Sequence, residues 1–368
     1  MIDRNRLLNT FLDYVRIDSE STHEAAFARR VMADLQAIGC RIGTDDSLTQ
    51  TGSDTGNLYC TLPGDPQREA IILSAHLDTV VPGKGIEPVI EDGVIRSRGD
   101  TVLGGDDKSG VAAIVEAMRT IVERNLPHPT IQAVFSVCEE IGLKGSKALD
   151  YSLLEAKKAV VLDSTGDAGT IITGAPGQYS LTAVITGRKA HAGAEPEKGI
   201  SAIQVAAEAI TNMKLLRIDE ETTANIGFIS ADFPTNIVPD RLELKAEARS
   251  RSDEKLEEQI RHMLSCLENA CEKYGAQLET TLIKPYGGYS YAQDDPFVLE
   301  VAAACERAGL TPRLDVTGGG SDANNFNVNG VKSLVLGTGM DKVHTTQEQL
   351  TVKNLENTAA LVLALSTL

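Results

Sequence analysis

The sequence predicts an α/β protein whose mainly parallel sheet lies between helices and is interrupted by an inserted α+β domain. Three observations carry this. Uniformly apolar runs such as Ile71-Ile72-Leu73, Val134-Phe135-Ser136-Val137 and Val160-Val161-Leu162 alternate with helical periodicities, as in sheets buried on both faces. The alternation stops near residue 178 and resumes after residue 290. A chain of 368 residues is also long for one domain.

Leu7, Leu8, Phe11, Leu12 and Val15 recur at helical spacing and place a helix over 4–17. A second helix runs from Glu24 to Ile38 and stops at Gly39. Strands follow near 57–62, 70–75, 130–137 and 159–163, with a helix from Ser109 to Glu123. After residue 290 the order is helix 296–308, strand 312–316, helix 322–328, strand 332–337 and helix 353–366. The middle reads as strand 178–186, helix 199–213, strands 225–230 and 241–249, helix 253–274 and strand 277–283. That β-α-β-β-α-β order is the ferredoxin-like split βαβ arrangement, which can fold as a unit. The expected division is a domain of 1–177 with 286–368, and an inserted lid of 178–285.

Acidic residues outnumber basic ones 52 to 35, a net charge of −17, which argues against nucleic acid or an anionic membrane as a partner. The start, Met1-Ile2-Asp3-Arg4-Asn5-Arg6, holds no apolar stretch long enough for a secretory signal. No segment approaches the roughly 20 apolar residues of a membrane span. The six cysteines include no CxxC pair, so reduced thiols in a cytoplasmic protein are expected. Cys138 reads as a small buried strand residue rather than a nucleophile.

Polar motifs stand where the apolar runs end. In His76-Leu77-Asp78, an extended chain puts residues i and i+2 on one side, so Asp78 can reach and orient the imidazole. Asp106 and Asp107, in Gly104-Gly105-Asp106-Asp107-Lys108, either cap the following helix or supply a carboxylate that bridges two cations, with Lys108 offsetting charge. Glu139-Glu140 ends a buried strand, where two carboxylates repel and lose solvation without cations. One binding metal and the other serving as a general base resolves this; a solvated pair is the alternative. Asp163 has the same geometry, and His344 follows strand 332–337. His23, His128 and His262 read as solvent-facing and without partners, whereas His191, before a turn containing Pro196, reads as an exposed donor. Arg249 is a candidate clamp for a carboxylate or one half of a surface salt bridge. A phosphate-binding GxxxxGK[ST] loop, a GxSxG elbow and an HExxH helix are all absent.

Taken in order, His76-Leu77-Asp78-Thr79, Gly105-Asp106-Asp107-Lys108, Glu139-Glu140-Ile141-Gly142, Asp163, Ala190-His191-Ala192-Gly193 and His344-Thr345 resemble the di-zinc exopeptidase family. That family includes peptidase T, carboxypeptidase G and the aminoacylase-type deacylases, and the resemblance covers essentially the whole chain. Gly319-Gly320-Ser321-Asp322-Ala323-Asn324 makes it most similar to the peptidase T-like members. The resemblance implies two divalent ions, zinc first and cobalt or manganese as substitutes, bridged by Asp106. One ion would take His76 and Asp163, the other Glu140 and His344. Glu139 would be the general base, Asp78 would orient His76, and the Asp106–Asp107 peptide would be cis. His191, Asn236, Arg249 and the Gly320 loop would bind substrate, with a homodimer formed through the lid. The implied activity is hydrolysis of short peptides, as by an aminotripeptidase. Asp163 rather than Glu favours a peptidase over an N-acyl amino acid deacylase. Ser164-Thr165 departs from the Asp-Gly pair of the nearest peptidase T relatives. A catalytically silent small-ligand-binding relative is the remaining alternative.

Overall fold

The structure, a computed structural model, describes residues 1–367. The chain forms two compact units: Met1–Gly174 together with the stretch from Ser290 onward, and Ala175–Tyr289. Among the described residues no helix is long and apolar enough to cross a membrane, and all six cysteines are free thiols.

The first unit is built on a 12-stranded sheet. Its centre is parallel: Ile131–Ser136, Ile71–His76, Lys158–Thr165 and Lys332–Asp341 lie side by side, in registers such as Ile71↔Ile131, Ile72↔Ala159 and Lys332↔Lys158. Every residue of Ile71–His76 and Ile131–Ser136 is buried, as expected when both faces of a sheet are covered. The long helix Gly105–Glu123 packs on these strands and is itself covered by Arg4–Val15, Ala25–Ile38 and Val352–Ser366. Because parallel strands all end on one side, the polar residues that terminate the apolar runs are brought together.

The margins differ from the expectation. Leu58–Leu62 runs antiparallel to Ile131–Ser136, and the additional strands Arg41–Thr44, Pro88–Glu91, Val94–Ser97, Thr170–Ala175 and Gln349–Thr351 join the sheet. The hairpin Pro88–Glu91/Val94–Ser97 turns on Asp92-Gly93, with φ of 50° and 78°. That Asp-Gly pair is a hairpin signal in its own right.

The second unit has a five-stranded antiparallel sheet, in which Thr222–Ser230, Arg241–Ser250, Gly177–Thr186 and Gln277–Tyr286 lie in that order, with the short Leu216–Arg217 at one edge. Alternate residues Leu181, Ala183, Ile185 and Leu242, Leu244, Ala246, Ala248 form a core with Val205, Ala209, Leu256, Ile260, Met263 and Leu267 from helices Ala202–Asn212 and Asp253–Tyr274. Strand alternation of period two and helical spacing meet here as the β-α-β-β-α-β reading requires.

Gly145 lies under the turn that follows Ile131–Ser136. A Cβ there would collide with the carbonyl oxygen of Val137 and crowd the Asn57 side chain. Gly145→Ala is therefore expected to destabilise the protein by about 1–3 kcal/mol through overpacking, read as a lowered midpoint in urea unfolding; an unchanged midpoint would show that this turn can shift freely.

Candidate metal centre

His76 closes its strand with the ring buried. Its Nδ1–H donates to the backbone oxygen of Asp78 at 2.8 Å, which leaves Nε2 facing Asp106 Oδ1 at 3.0 Å and Asp163 Oδ1 at 3.9 Å. On the other side of Asp106, His344 Nε2 lies 3.3 Å from Asp106 Oδ2 and 2.9 Å from Glu140 Oε2. Asp106 thus turns Oδ1 to His76, whose Nε2 also faces Asp163, and Oδ2 to His344, whose Nε2 also meets Glu140. Donor atoms of His76, Asp106 and Glu140 lie within 4.8 Å of one another, and so do those of His76, Asp107 and Asp163.

The electrostatics are those of crowded anions. Burial, followed by the charge of Asp163, pushes the Glu139 carboxyl well above its ordinary range. Burial and Asp106 do the same to Asp163, and burial raises Glu140 against its hydrogen bond to His344. Burial alone would lower His76, but hydrogen bonds to Asp106 and Asp78 hold it well above the usual imidazole value. His344 is raised to about 10 by its bonds to Asp106 and then Glu140. Among the described residues no lysine or arginine pairs with Asp106, Asp163, Glu139 or Glu140. Glu140 Oε1 is buried without a partner, and no side-chain hydrogen bond holds the nearly buried Glu139. Lone pairs aimed at lone pairs, with an orphaned buried oxygen among them, fit divalent cations.

Several expectations change. The nearest partner of the His76 ring is the backbone oxygen of Asp78, while the carboxylate Oδ1 stands at 3.5 Å from Nδ1. The Asp78 carboxylate instead accepts from Glu139 N–H at 2.9 Å, Glu140 N–H at 3.2 Å and Ser21 Oγ at 2.7 Å, so it holds the glutamate pair. The Asp106–Asp107 peptide is cis, as the resemblance implies. Asp107 accepts from His76 N–H at 3.3 Å and Gly110 N–H at 3.2 Å, which is a capping and anchoring role. Gly110 has no room for a side chain, because a Cβ would press on Asp107 and Leu162. Lys108 does not offset the acid pair: its Nζ donates to the Ile17 carbonyl at 2.6 Å over the Phe27 ring, and burial pushes it down to about 7. Cys138 is buried with its thiol pushed up to about 12 by burial and Glu24, which suits a structural role.

Sequence reasoning passed over Glu24, Asn57, Asp322 and Glu348. Glu24 accepts from Cys138 N–H at 3.0 Å, and Asn57 Oδ1 from Val137 N–H at 3.1 Å. Asp322 is buried against the Ser136 hydroxyl with Oδ1 unpartnered; its place in the Gly-rich motif was the available signal. Nothing in the spacing of Glu24 or Asn57 marks them.

In the second unit, His191 is exposed and its Nδ1 accepts from Gly193 and Ala194 N–H, both at 3.1 Å, so the neutral ring carries its proton on Nε2. Asn236 is exposed, and its backbone oxygen accepts from Ala192 N–H. Arg249 grips Glu247 with two bonds, at 2.9 and 3.0 Å. Gly320 belongs to the first unit, half-buried ahead of helix Asp322–Val328. Two of the remaining histidines have partners after all: His128 bonds the Pro129 carbonyl, and His262 accepts from Lys214 N–H.

Fold and donor set together define a class, an α/β protein with a buried imidazole–carboxylate centre suited to divalent cations. Residues 72–367 match peptidase family M20/M25/M40, and the chain belongs to that family. It is 43% identical to the protein YqjE of Bacillus subtilis (strain 168), over 99% of this chain and 98% of that one. Among solved structures it is similar to the aminopeptidase PepT from Bacillus cereus ATCC 10987, at 43% identity and a TM-score of 0.95, covering 100% of this chain and 98% of that one. A tripeptidase from Staphylococcus aureus subsp. aureus Mu50 is 38% identical with a TM-score of 0.96, at the same coverage.

The His344 proton gives a test. Its folded value near 10 lies above the roughly 6.5 of a free imidazole. The stability it contributes is complete below about pH 6.5 and lost as pH rises through about 10. Buried Lys108 works in the opposite direction over the same range, so the comparison is made against His344→Gln, which shares Lys108. In chelator, the wild type is expected to lose stability relative to H344Q between pH 7 and 9 in urea titrations; parallel profiles would refute the pairing of His344 with Asp106 and Glu140.

Proposed function

We infer that this chain is a metal-dependent exopeptidase acting on short peptides, with aminotripeptidase-like preference. The observation that carries the reading is Asp106 placed between two imidazoles, His76 on Oδ1 with Asp163 beyond it and His344 on Oδ2 with Glu140 beyond it. Those residues would hold two divalent ions, most suitably zinc for this imidazole and carboxylate set. When bound, such ions polarise a scissile carbonyl and acidify water.

The chain's own residues supply the remaining chemistry. Glu139 is free of side-chain partners, nearly buried and raised in pKa, the condition of a general base that takes a proton from water and returns it to the leaving amine. Asp78 holds the Glu139 and Glu140 backbone and keeps the base from swinging. His191 presents Nε2–H, a donor for the substrate carbonyl oxygen. Arg249, already in bidentate geometry with Glu247, can exchange that partner for a substrate carboxylate. A clamp on a free terminus limits substrates to short chains. The kinship with the tripeptidase and aminopeptidase supports peptides over acyl amino acids.

Glu139→Gln is expected to retain the wild-type metal content by elemental analysis while kcat falls about 100- to 10,000-fold. Wild-type turnover by that variant would remove Glu139 from the role of base. On a panel of tripeptides, dipeptides and N-acetyl amino acids, tripeptides are expected to give the highest kcat/KM; faster hydrolysis of N-acetyl amino acids would make the chain a deacylase instead.

A further inference from the structure

Glu348 lies four residues beyond His344 and is 2% exposed. Its Oε2 accepts from the N–H groups of Leu103 and Gly104 at 2.8 and 2.9 Å, and its Oε1 accepts from Asp106 N–H at 3.0 Å. All three donors belong to the loop that delivers Asp106. Glu348's own N–H donates to the Thr345 carbonyl at 3.1 Å, closing the turn Thr345–Glu348 that directly follows His344, whose φ is +61°. A single buried carboxylate therefore fastens the Asp106 loop to the His344 turn, across more than 240 residues of sequence.

We propose that Glu348 is a positioning residue for the metal centre, fixing Asp106 and His344 relative to each other so that they act as one donor set. The proposal rests on the two-cation reading above. Metal donors must be held within about 0.5 Å of their productive geometry, and Asp106 and His344 come from loops with no other side chain joining them directly to one another's backbone among the described residues. Glu348 suits the task because both of its oxygens accept. A glutamine of equal size would accept with one and point an NH₂ group at N–H donors with the other, pushing one side of the loop away. Glu348 touches neither substrate nor the facing oxygens of Asp106, so its effect passes through the donors it places.

The test is metal titration of the chelator-stripped full-length protein with Zn²⁺ by calorimetry and with Co²⁺ by visible absorption. Wild type is expected to take up two ions. Glu348→Gln, folded by circular dichroism, is expected to bind at least one ion about 10- to 100-fold more weakly and to give an altered Co²⁺ spectrum. Glu116→Gln is the control: Glu116 is equally buried, is held by Arg6 and Asp3, and takes no part in the centre. It is expected to lower thermal stability and leave metal affinity unchanged. Wild-type affinities and spectrum in E348Q overturn the proposal, as does an equal loss of affinity in E116Q. If E348Q does not fold, Glu348→Asp keeps the charge without the reach, and unchanged metal affinity there overturns the proposal equally. A wild type that takes up fewer than two ions overturns the two-cation reading and the proposal with it, whereas failure in the variants alone overturns only the proposal.

Discussion

Asp163, Glu139 and Glu140 at the ends of buried parallel strands and Asp106 at the start of helix Gly105–Glu123 are confined together, and no lysine or arginine pairs with them among the described residues. Two like charges about 4 Å apart repel by roughly 4 kcal/mol at an effective dielectric of 20, and several such pairs exceed what a marginally stable fold can tolerate. The raised carboxyls of Glu139 and Asp163 and the raised imidazoles of His76 and His344 are responses to that crowding. Protons relieve it in the absence of metal. Divalent cations would relieve it further, because they satisfy several lone pairs at once, and Lys108, next to Asp107 in the chain, is free to turn toward Ile17.

A second set of buried carboxylates holds the first in place through the backbone. The strand Ile131–Ser136 ends in a turn where Cys138 has a φ of +52°, and its next N–H groups leave the ladder. Val137 N–H goes to Asn57, Cys138 N–H to Glu24, and the N–H groups of Glu139 and Glu140 to Asp78. Asp107 does the same for His76 N–H, and Glu348 for Asp106. Carboxylates accept in several directions and bond N–H groups more strongly than neutral acceptors do, so Glu24, Asp78, Asp107 and Glu348 each take N–H groups that the sheet and helix ladders leave unpaired. The donors at the centre and their anchors are chemically alike; only their partners separate them.

That likeness is why the sequence revealed the centre more readily than its supports. His76, Asp106, Glu140, Asp163 and His344 are visible because each follows an apolar run or a glycine-rich loop, and parallel topology converts that position into proximity. The anchoring role of Glu24 or Glu348 depends on three-dimensional approach to backbone N–H groups far away in the chain, and no local period encodes it. The i, i+2 pattern of extended chain places Asp78 beside the His76 ring, where its Oδ1 stands at 3.5 Å, but the backbone carbonyl takes the Nδ1–H and the carboxylate also accepts from Glu139 N–H. The helices and central strands were legible from periodicity. The antiparallel margins were not, since strands of four residues such as Arg41–Thr44 carry too little pattern, although Asp92-Gly93 announced one hairpin.

The order of the donors along the chain has an energetic consequence. His76, Asp106, Glu140 and Asp163 precede Gly174, where the chain leaves the first unit, and His344 follows its return at Ser290. The two stretches meet where Lys332–Asp341 pairs in parallel with Lys158–Thr165, and the same pairing brings His344 to Asp106. A ligand that bridges both stretches therefore stabilises their union and not one loop, by RT ln(1 + [L]/Kd) when it binds the folded state alone. With cations bound, the acidic crowd that opposes folding when empty would become a cross-link between the two stretches of the first unit, and cation binding would be a property of the completed fold.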